Sequence, residues 1–123
     1  MSTSSPPASS MNTSGLSSNT NRRSKIPLAQ CSESALKSRI VAGLKRRWPK
    51  AWVYCPTDRI RSGVPDIVCV LPPSGFTLAI EVKTPTGRVD PIQTATLQKI
   101  RNAGGFAWVI RSMEEFRHVV LHE

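Results

Sequence analysis

The sequence predicts a small α/β domain between about residues 30 and 123, because segments typical of helices alternate there with segments typical of strands. One observation is an apolar stripe with helical spacing, in which a large apolar residue recurs every four positions: Leu36, Ile40, Leu44 and Trp48. The other is a set of short apolar stretches bounded by Pro, Gly and polar residues, a pattern that favours strands. The predicted order of elements is α-β-β-β-α-β-α.

Local signals give bounds to the helices. Ser32 is expected to cap a first helix that continues to Trp48 and ends before Pro49. Asp90 is expected to cap a second helix, with Pro91 at its first position, that continues to about Ala103 and ends at two glycines. The last segment, 113–123, is predicted as a closing helix.

The strands are expected at 51–57, 65–71, 76–83 and 106–111. Between the second and third of them lies the sequence Pro-Pro-Ser-Gly, which is typical of a turn. These two strands should therefore form an antiparallel hairpin. The polar, basic segment after the first strand and the segment after the third are expected to be loops.

The first 29 residues are predicted to be a disordered, basic tail. They are rich in Ser, Thr, Asn and Pro, contain no acidic residue and include no apolar run. No secretory signal or membrane-spanning stretch is recognisable in the sequence. The three cysteines (31, 55 and 69) are odd in number and lack metal-ligand spacing, which favours a reducing, cytoplasmic location and argues against a zinc site.

The net charge of +9 arises from 17 Lys and Arg against 8 Asp and Glu. Three basic residues lie in the predicted tail, so the domain keeps an excess of six (9 − 3). Such a balance favours a polyanionic partner, and nucleic acid is the usual one. A basic surface that only aids solubility is the alternative.

Charged residues interrupt the two strands of the predicted hairpin. If the turn is centred between Pro73 and Ser74, residues whose numbers add to 147 face each other, and Asp66 then opposes Glu81. Lys83 shares the face of Glu81 because side chains alternate along a strand. Two opposed carboxylates repel unless a positive charge lies between them. Lys83 alone would make a structural cluster, but a divalent cation such as Mg²⁺ is the preferred interpretation.

Two further polar residues fall on helix faces that should be buried. Glu33 lies within the apolar stripe of the first helix and is expected to point toward the sheet, although an acidic residue in a first turn also complements the helix dipole. Gln93 faces inward on the second helix, where it also fits a capping box with Asp90. Both roles of Gln93 are compatible.

The ordered set "GVPD", fourteen residues, "EVK" and then "DPIQ" at the start of a helix resembles the PD-(D/E)XK nuclease superfamily. Within it, "SGVPDIVCV", "LAIEVKTPTGRVDPIQ" and "LQKIRNAGGFAWVIRSMEEF" are most similar to VRR-NUC domains, especially the minimal stand-alone ones typical of phages. The resemblance spans residues 32 to 118. It implies a restriction-endonuclease-like α-β-β-β-α-β core with a mixed central sheet flanked by helices.

The resemblance also implies the roles of the site residues. Asp66, Glu81 and the main-chain carbonyl of Val82 would bind Mg²⁺ or Mn²⁺, and Lys83 would position or activate the attacking water. Gln93 matches the polar residue that follows on the next helix. Glu33 matches an acidic residue that the superfamily often carries on its first helix.

Contacts to DNA are expected from basic residues around this site. Arg59, Arg61 and Arg88 flank the candidate site residues in sequence, and the cluster that includes Lys45 and Arg46 would extend the track or simply be solvated. Such contacts carry affinity without sequence preference. His118 and His122 are four apart, but they are expected to face solvent because no third ligand lies nearby.

The sequence thus predicts an Mg²⁺- or Mn²⁺-dependent endonuclease with little base specificity. By resemblance to junction-resolving enzymes, its expected substrate is a four-way (Holliday) junction and its expected state a homodimer, in the host cell if phage-encoded. The apolar residues of the last strand and helix would form the dimer face or belong to the core: Trp108, Phe116, Val119 and Leu121. The alternatives are a flap- or nick-directed nuclease and a non-catalytic DNA-binding module. A restriction enzyme is excluded because the domain has no room for a target-recognition segment.

Overall fold

The computed structural model describes residues 32–57 and 63–123. These ranges contain three helices and four strands, in the predicted order. In chain order they are α1 (Glu33–Arg47), β1 (Trp52–Tyr54), β2 (Ile67–Val70), β3 (Thr77–Val82), α2 (Pro91–Asn102), β4 (Phe106–Ile110) and α3 (Met113–Val119). The predicted tail and its boundary lie outside the described residues and stay predictions.

The four strands form one mixed sheet in the order β1-β2-β3-β4. The first three strands pair antiparallel, and β4 pairs parallel to β3. The hairpin has the register expected from its turn, since Ile67 pairs with Ile80 and Val70 with Thr77. The chain reverses through a turn in which Leu71 N–H donates to the carbonyl of Phe76. The predicted α/β fold with a mixed sheet flanked by helices is confirmed.

The face of the sheet that carries Ile67, Cys69, Ile80 and Val82 is called the core face. Helices α1 and α3 pack on it, and the side chains of Leu36, Ile40 and Leu44 join Phe116 in one buried cluster with the strands. The backbone of α1 also approaches α3 closely: a Cβ at Gly43 would lie 2.8 Å from the Phe116 ring. This face therefore holds the main hydrophobic core.

The opposite face, which carries Ala79 and Glu81, is called the site face. Helix α2 packs over β3 and β4 there, with Leu97 buried between Ala79 and Ala107. The small residues let the helix lie close to the sheet. The segment before β2 also approaches α2, and Gly63, with φ +81°, leaves no room for a Cβ beside Ile92.

The caps of the helices follow the sequence signals. Ser32 accepts a hydrogen bond from Ala35 N–H, and Asp90 accepts one from Ile92 N–H. The closing helix is shorter than expected, since it ends at Val119. Beyond it, His122 has a left-handed backbone (φ 59°), which a helix cannot contain. His118 and His122 are both exposed and do not share a helix face.

Of the two alternatives for the apolar residues of the last strand and helix, the structure selects the core for Phe116. Phe116 is fully buried and cannot contact a second chain, because its ring fills the core beneath α1. Trp108, Val119 and Leu121 are partly buried and pack against the same core cluster. None of the described helices is long and apolar enough to cross a membrane.

Candidate active site

The topology brings several functional groups to one end of the sheet, where β2 begins and β3 ends. We call it the carboxylate end. Strand β4 also ends there because it runs parallel to β3, and Lys83 N–H donates to the carbonyl of Ile110. The loop after β3 leads directly into the N-terminus of α2. The site residues therefore come from a hairpin, a loop and a helix N-terminus.

Glu81 lies at the centre of this arrangement. Within the described ranges it is the one buried charged side chain, with 2% of its surface exposed. Its Oε2 accepts a hydrogen bond of 2.7 Å from Gln93 Nε2 and lies 3.7 Å from Lys83 Nζ. Its Oε1 is buried without a hydrogen-bond partner in the described part of the chain.

Asp66 immediately precedes β2 and continues the register of the hairpin toward Glu81. Its Oδ2 accepts a hydrogen bond of 2.8 Å from Val82 N–H. The main chain of Val82, whose carbonyl is the third predicted ligand, therefore contacts Asp66. The structure thus brings together the three predicted metal-binding groups.

The electrostatics of the site disfavour a negative charge on Glu81. Burial raises the pKa of Glu81 to about 7, and the nearby Asp66 carboxylate acts in the same direction, while Lys83 acts in the opposite one. A buried acceptor without a donor is costly. The unpaired Oε1 beside a second carboxylate is therefore a place where a cation would be stabilising.

The donor set fits a hard divalent cation that keeps part of its water shell. The described residues contain no group of three or more His, Cys, Asp or Glu side chains that could enclose a metal. Mg²⁺ needs no such cage, because one or two carboxylates, waters and substrate phosphates commonly complete its octahedron. Asp66, Glu81 and the Val82 carbonyl would supply oxygen ligands only.

Gln93 both faces the site and completes the capping box, as expected from the sequence. Its side-chain oxygen accepts from Asp90 N–H at 3.1 Å, which completes a capping box, while its amide nitrogen donates to Glu81. The cap fixes the start of α2 and aims the amide at the carboxylate. One residue thus couples the helix N-terminus to the site.

Contrary to the prediction from the sequence, the Glu33 side chain does not point toward the sheet. It is exposed in the first turn of α1, a helix that packs on the core face rather than on the site face. An acidic residue at this position complements the helix dipole, which accounts for its placement at a solvent-facing N-terminus. The structure shows no hydrogen bond or ion pair between Glu33 and the site within the described residues.

The predicted DNA-contacting residues fall into three groups. Arg88 is exposed in the loop between β3 and α2, beside the carboxylate end. Lys45 and Arg46 are exposed in the last turn of α1, which leads into the start of β1 and so lies at the opposite end of the sheet. Arg59 and Arg61 lie outside the described residues.

Arg111 is a site-forming residue that the sequence reasoning missed. Its Nη1 donates to the carbonyls of Thr84 at 2.8 Å and Gly87 at 2.7 Å. The main-chain N–H of Arg111 donates to the carboxylate of Glu115. The guanidinium therefore ties the loop after Lys83 to the end of β4. A lone basic residue directly after an apolar strand was the signal available in the sequence.

Comparisons with known proteins agree with this fold. A family model described as the VRR-NUC domain matches residues 10–114. A solved structure described as a VRR_NUC domain is similar with a TM-score of 0.57 and 24% identity, over 75% of this chain and 98% of that one. At this identity the likeness supports the fold alone. No curated protein matches the chain.

Proposed function

The chain belongs to the VRR-NUC domain family, and from that premise we propose that it is a metal-dependent, structure-selective DNA endonuclease of the PD-(D/E)XK type. The observation that carries the proposal is the pair formed by buried Glu81, with its unpaired Oε1, and Asp66 at the same end of the sheet. The strongly basic composition supports a nucleic-acid substrate.

The chain's own groups divide the work in the proposed reaction. Asp66, Glu81 and the Val82 carbonyl would hold Mg²⁺ or Mn²⁺, which when bound supplies a Lewis acid for the scissile phosphate and a hydroxide near neutral pH. Gln93 holds Glu81 Oε2 and leaves Oε1 free for the metal. Lys83, partly exposed beside Glu81, is placed to orient the attacking water and to stabilise charge on the phosphate.

The finer proposal is that the substrate is a four-way junction and that the enzyme acts as a homodimer. Symmetric cleavage of such a junction needs two active sites, and one chain of this size holds a single candidate site within its described residues. Arg88, exposed beside the carboxylate end, would contact phosphates near the cut.

The test is cleavage of a synthetic four-way junction, with linear duplex and flap DNA of equal length beside it. Wild type, Glu81→Ala and the matched control Glu114→Ala are compared in MgCl₂, MnCl₂ and EDTA. Glu114 is exposed on α3, which packs on the core face. We expect metal-dependent paired nicks near the crossover for wild type and the control, and none for Glu81→Ala.

Other outcomes lead to the alternatives. Preferential cleavage of the flap would retain the nuclease and replace the junction as substrate. Metal-independent DNA binding without cleavage of any probe would instead favour a non-catalytic module, in which the contact of 3.7 Å between Lys83 and Glu81 is purely structural. Sedimentation velocity of the wild-type protein, with and without the junction, tests the homodimer.

A further inference from the structure

The site face is covered unevenly. Helix α2 packs over β3 and β4, but Trp52 and Tyr54 on β1 point to this same face and stay 57% and 48% exposed. Their position on the site face follows from the register: Tyr54 pairs with Val68, which pairs with Ala79. Adjacent exposed aromatic side chains of this size are typical of an interaction site.

The two rings form a preorganised stack whose outer faces are left for a further ring. They are stacked on each other with centroids 5.5 Å apart and an interplanar angle of 23°. Both belong to a regular strand, so the backbone fixes their spacing. Neither residue belongs to the hydrophobic clusters of the described protein. They therefore do not serve the core.

Tyr54, the nearer member of the aromatic pair, lies close to the candidate metal ligands, and Trp52 lies two residues further from them along β1. Tyr54 is opposite Val68, and Val68 is two residues from Asp66 on the same face. Two residues along a strand span about 6.6 Å and neighbouring strands are about 4.8 Å apart, so the Cα atoms of Tyr54 and Asp66 are separated by about 8 Å. This distance is within reach of the nucleotides next to a phosphate held at Asp66.

We propose that Trp52 and Tyr54 form a stacking platform that receives an unpaired base of branched DNA beside the scissile phosphate. The inference rests on the proposed nuclease function and adds to it a basis for structure selectivity. Bases stack on exposed aromatic rings whatever their sequence, while a continuous duplex offers no free base. The platform would thus favour branch points over linear DNA.

Two observations favour a base over a second protein chain as the occupant. The platform lies on the same face of the sheet as Asp66, within reach of a DNA strand bound there. The chain carries a net charge of +9, which attracts a polyanion such as a DNA strand to its surface.

The experiment measures DNA affinity in a Glu81→Gln background in EDTA, which separates binding from cleavage. Fluorescence anisotropy compares three probes: a four-way junction with two unpaired nucleotides at the crossover, the same junction with those nucleotides abasic, and a linear duplex. The proteins are the background itself, Trp52→Ala, Trp52→Phe and the matched control Phe76→Ala. Phe76 is 55% exposed just before β3, at the opposite end of the strand from Glu81.

We expect the background protein to bind the base-containing junction about tenfold or more tightly than the abasic one. Trp52→Ala should remove most of this difference, because the stack loses its larger ring, and leave duplex affinity unchanged, while Trp52→Phe and Phe76→Ala should retain most of the difference. An undiminished difference in Trp52→Ala, or an equal loss for all three probes, would overturn the proposal.

A second measurement, the sedimentation coefficient, tests whether a second copy of the chain occupies the platform. If Trp52→Ala lowers the sedimentation coefficient of the free protein, a second copy covers the platform and the proposal is wrong. Absence of metal-dependent cleavage by wild type would count against the nuclease itself, and the binding difference between base and abasic probes is measured independently of it.

Discussion

The two faces of the sheet are built on different principles, although they share the same strands. The core face is apolar, packed by two helices and closed around Ile67, Ile80 and Phe116. The site face carries small residues, a buried carboxylate with an unpaired oxygen and two exposed aromatic rings. One face stabilises the fold, and the other accepts a loss of stability where its groups are arranged for binding.

The contrast is sharpest between consecutive residues. Ile80 is fully buried among apolar side chains, while Glu81, on the other side of the same strand, is almost as buried beside Asp66. Burial therefore stabilises the fold at one position and destabilises it at the next. Substitutions at such neighbouring positions should change the stability in opposite directions.

Ile80→Ala should produce the largest effect. Removal of a fully buried isoleucine side chain typically costs about 2–5 kcal/mol, through lost burial and the cavity left behind. We expect a loss in this range in urea denaturation monitored by circular dichroism. A loss below about 1 kcal/mol would show that the core face does not hold the main core.

Glu81→Gln should instead stabilise the metal-free protein at alkaline pH. The folded pKa of Glu81 is about 7, above its ordinary value of 4.5, so the native state binds more protons between these values and wild-type stability falls as pH rises through this window. The maximal loss, complete above pH 7, is about 3 kcal/mol, at 1.36 kcal/mol for each unit. Because Gln carries no charge, the variant does not undergo this loss of stability.

Thermal melts of wild type and Glu81→Gln in EDTA at pH 5 and pH 8 test this expectation. The advantage of the variant should be large at pH 8 and small at pH 5. Addition of MgCl₂ should stabilise wild type at pH 8 and leave the variant nearly unchanged, because the metal lowers the repulsion that Gln has already removed. A variant less stable than wild type at pH 8 in EDTA would support a structural Lys83–Glu81 pair.

The sequence predicted those parts of the molecule that local signals determine. The caps at Ser32 and Asp90, the hairpin register and the convergence of Asp66 with Glu81 all follow from short-range chemistry and alternation along strands. Tertiary packing decided the rest. Glu33 has the helical phase of the apolar stripe, yet it is the first residue of α1 and its side chain is exposed to solvent. The carbonyl partners of Arg111 lie more than twenty positions away, so no local pattern could reveal them.

Arg111→Met should affect the site more than the core. Hydrogen bonds to a charged group are typically worth about 1.5–3 kcal/mol, and the substitution removes those to the carbonyls of Thr84 and Gly87. We expect a loss of about 2 kcal/mol in stability, together with lower kcat because the loop that follows Lys83 is no longer fixed. Arg111→Lys should recover stability only in part, since an ammonium group cannot reproduce the fork of a guanidinium. Equal kcat for all three proteins would contradict a positioning role.

Of these substitutions, Gln93→Ala should change the stability least, and its effects on stability and on activity can be measured separately. Gln93→Ala removes half of the capping box, which should cost about 1 kcal/mol. It also removes the donor that orients Glu81, and loss of such an outer partner of a metal ligand typically costs about 10–100-fold in metal affinity or activity. Titration of cleavage with MnCl₂ should therefore show a higher half-saturating concentration. Asp90→Ala is the matched control, because it breaks the same cap without touching Glu81. If both variants lose activity equally, the helix start rather than the amide contact governs the site.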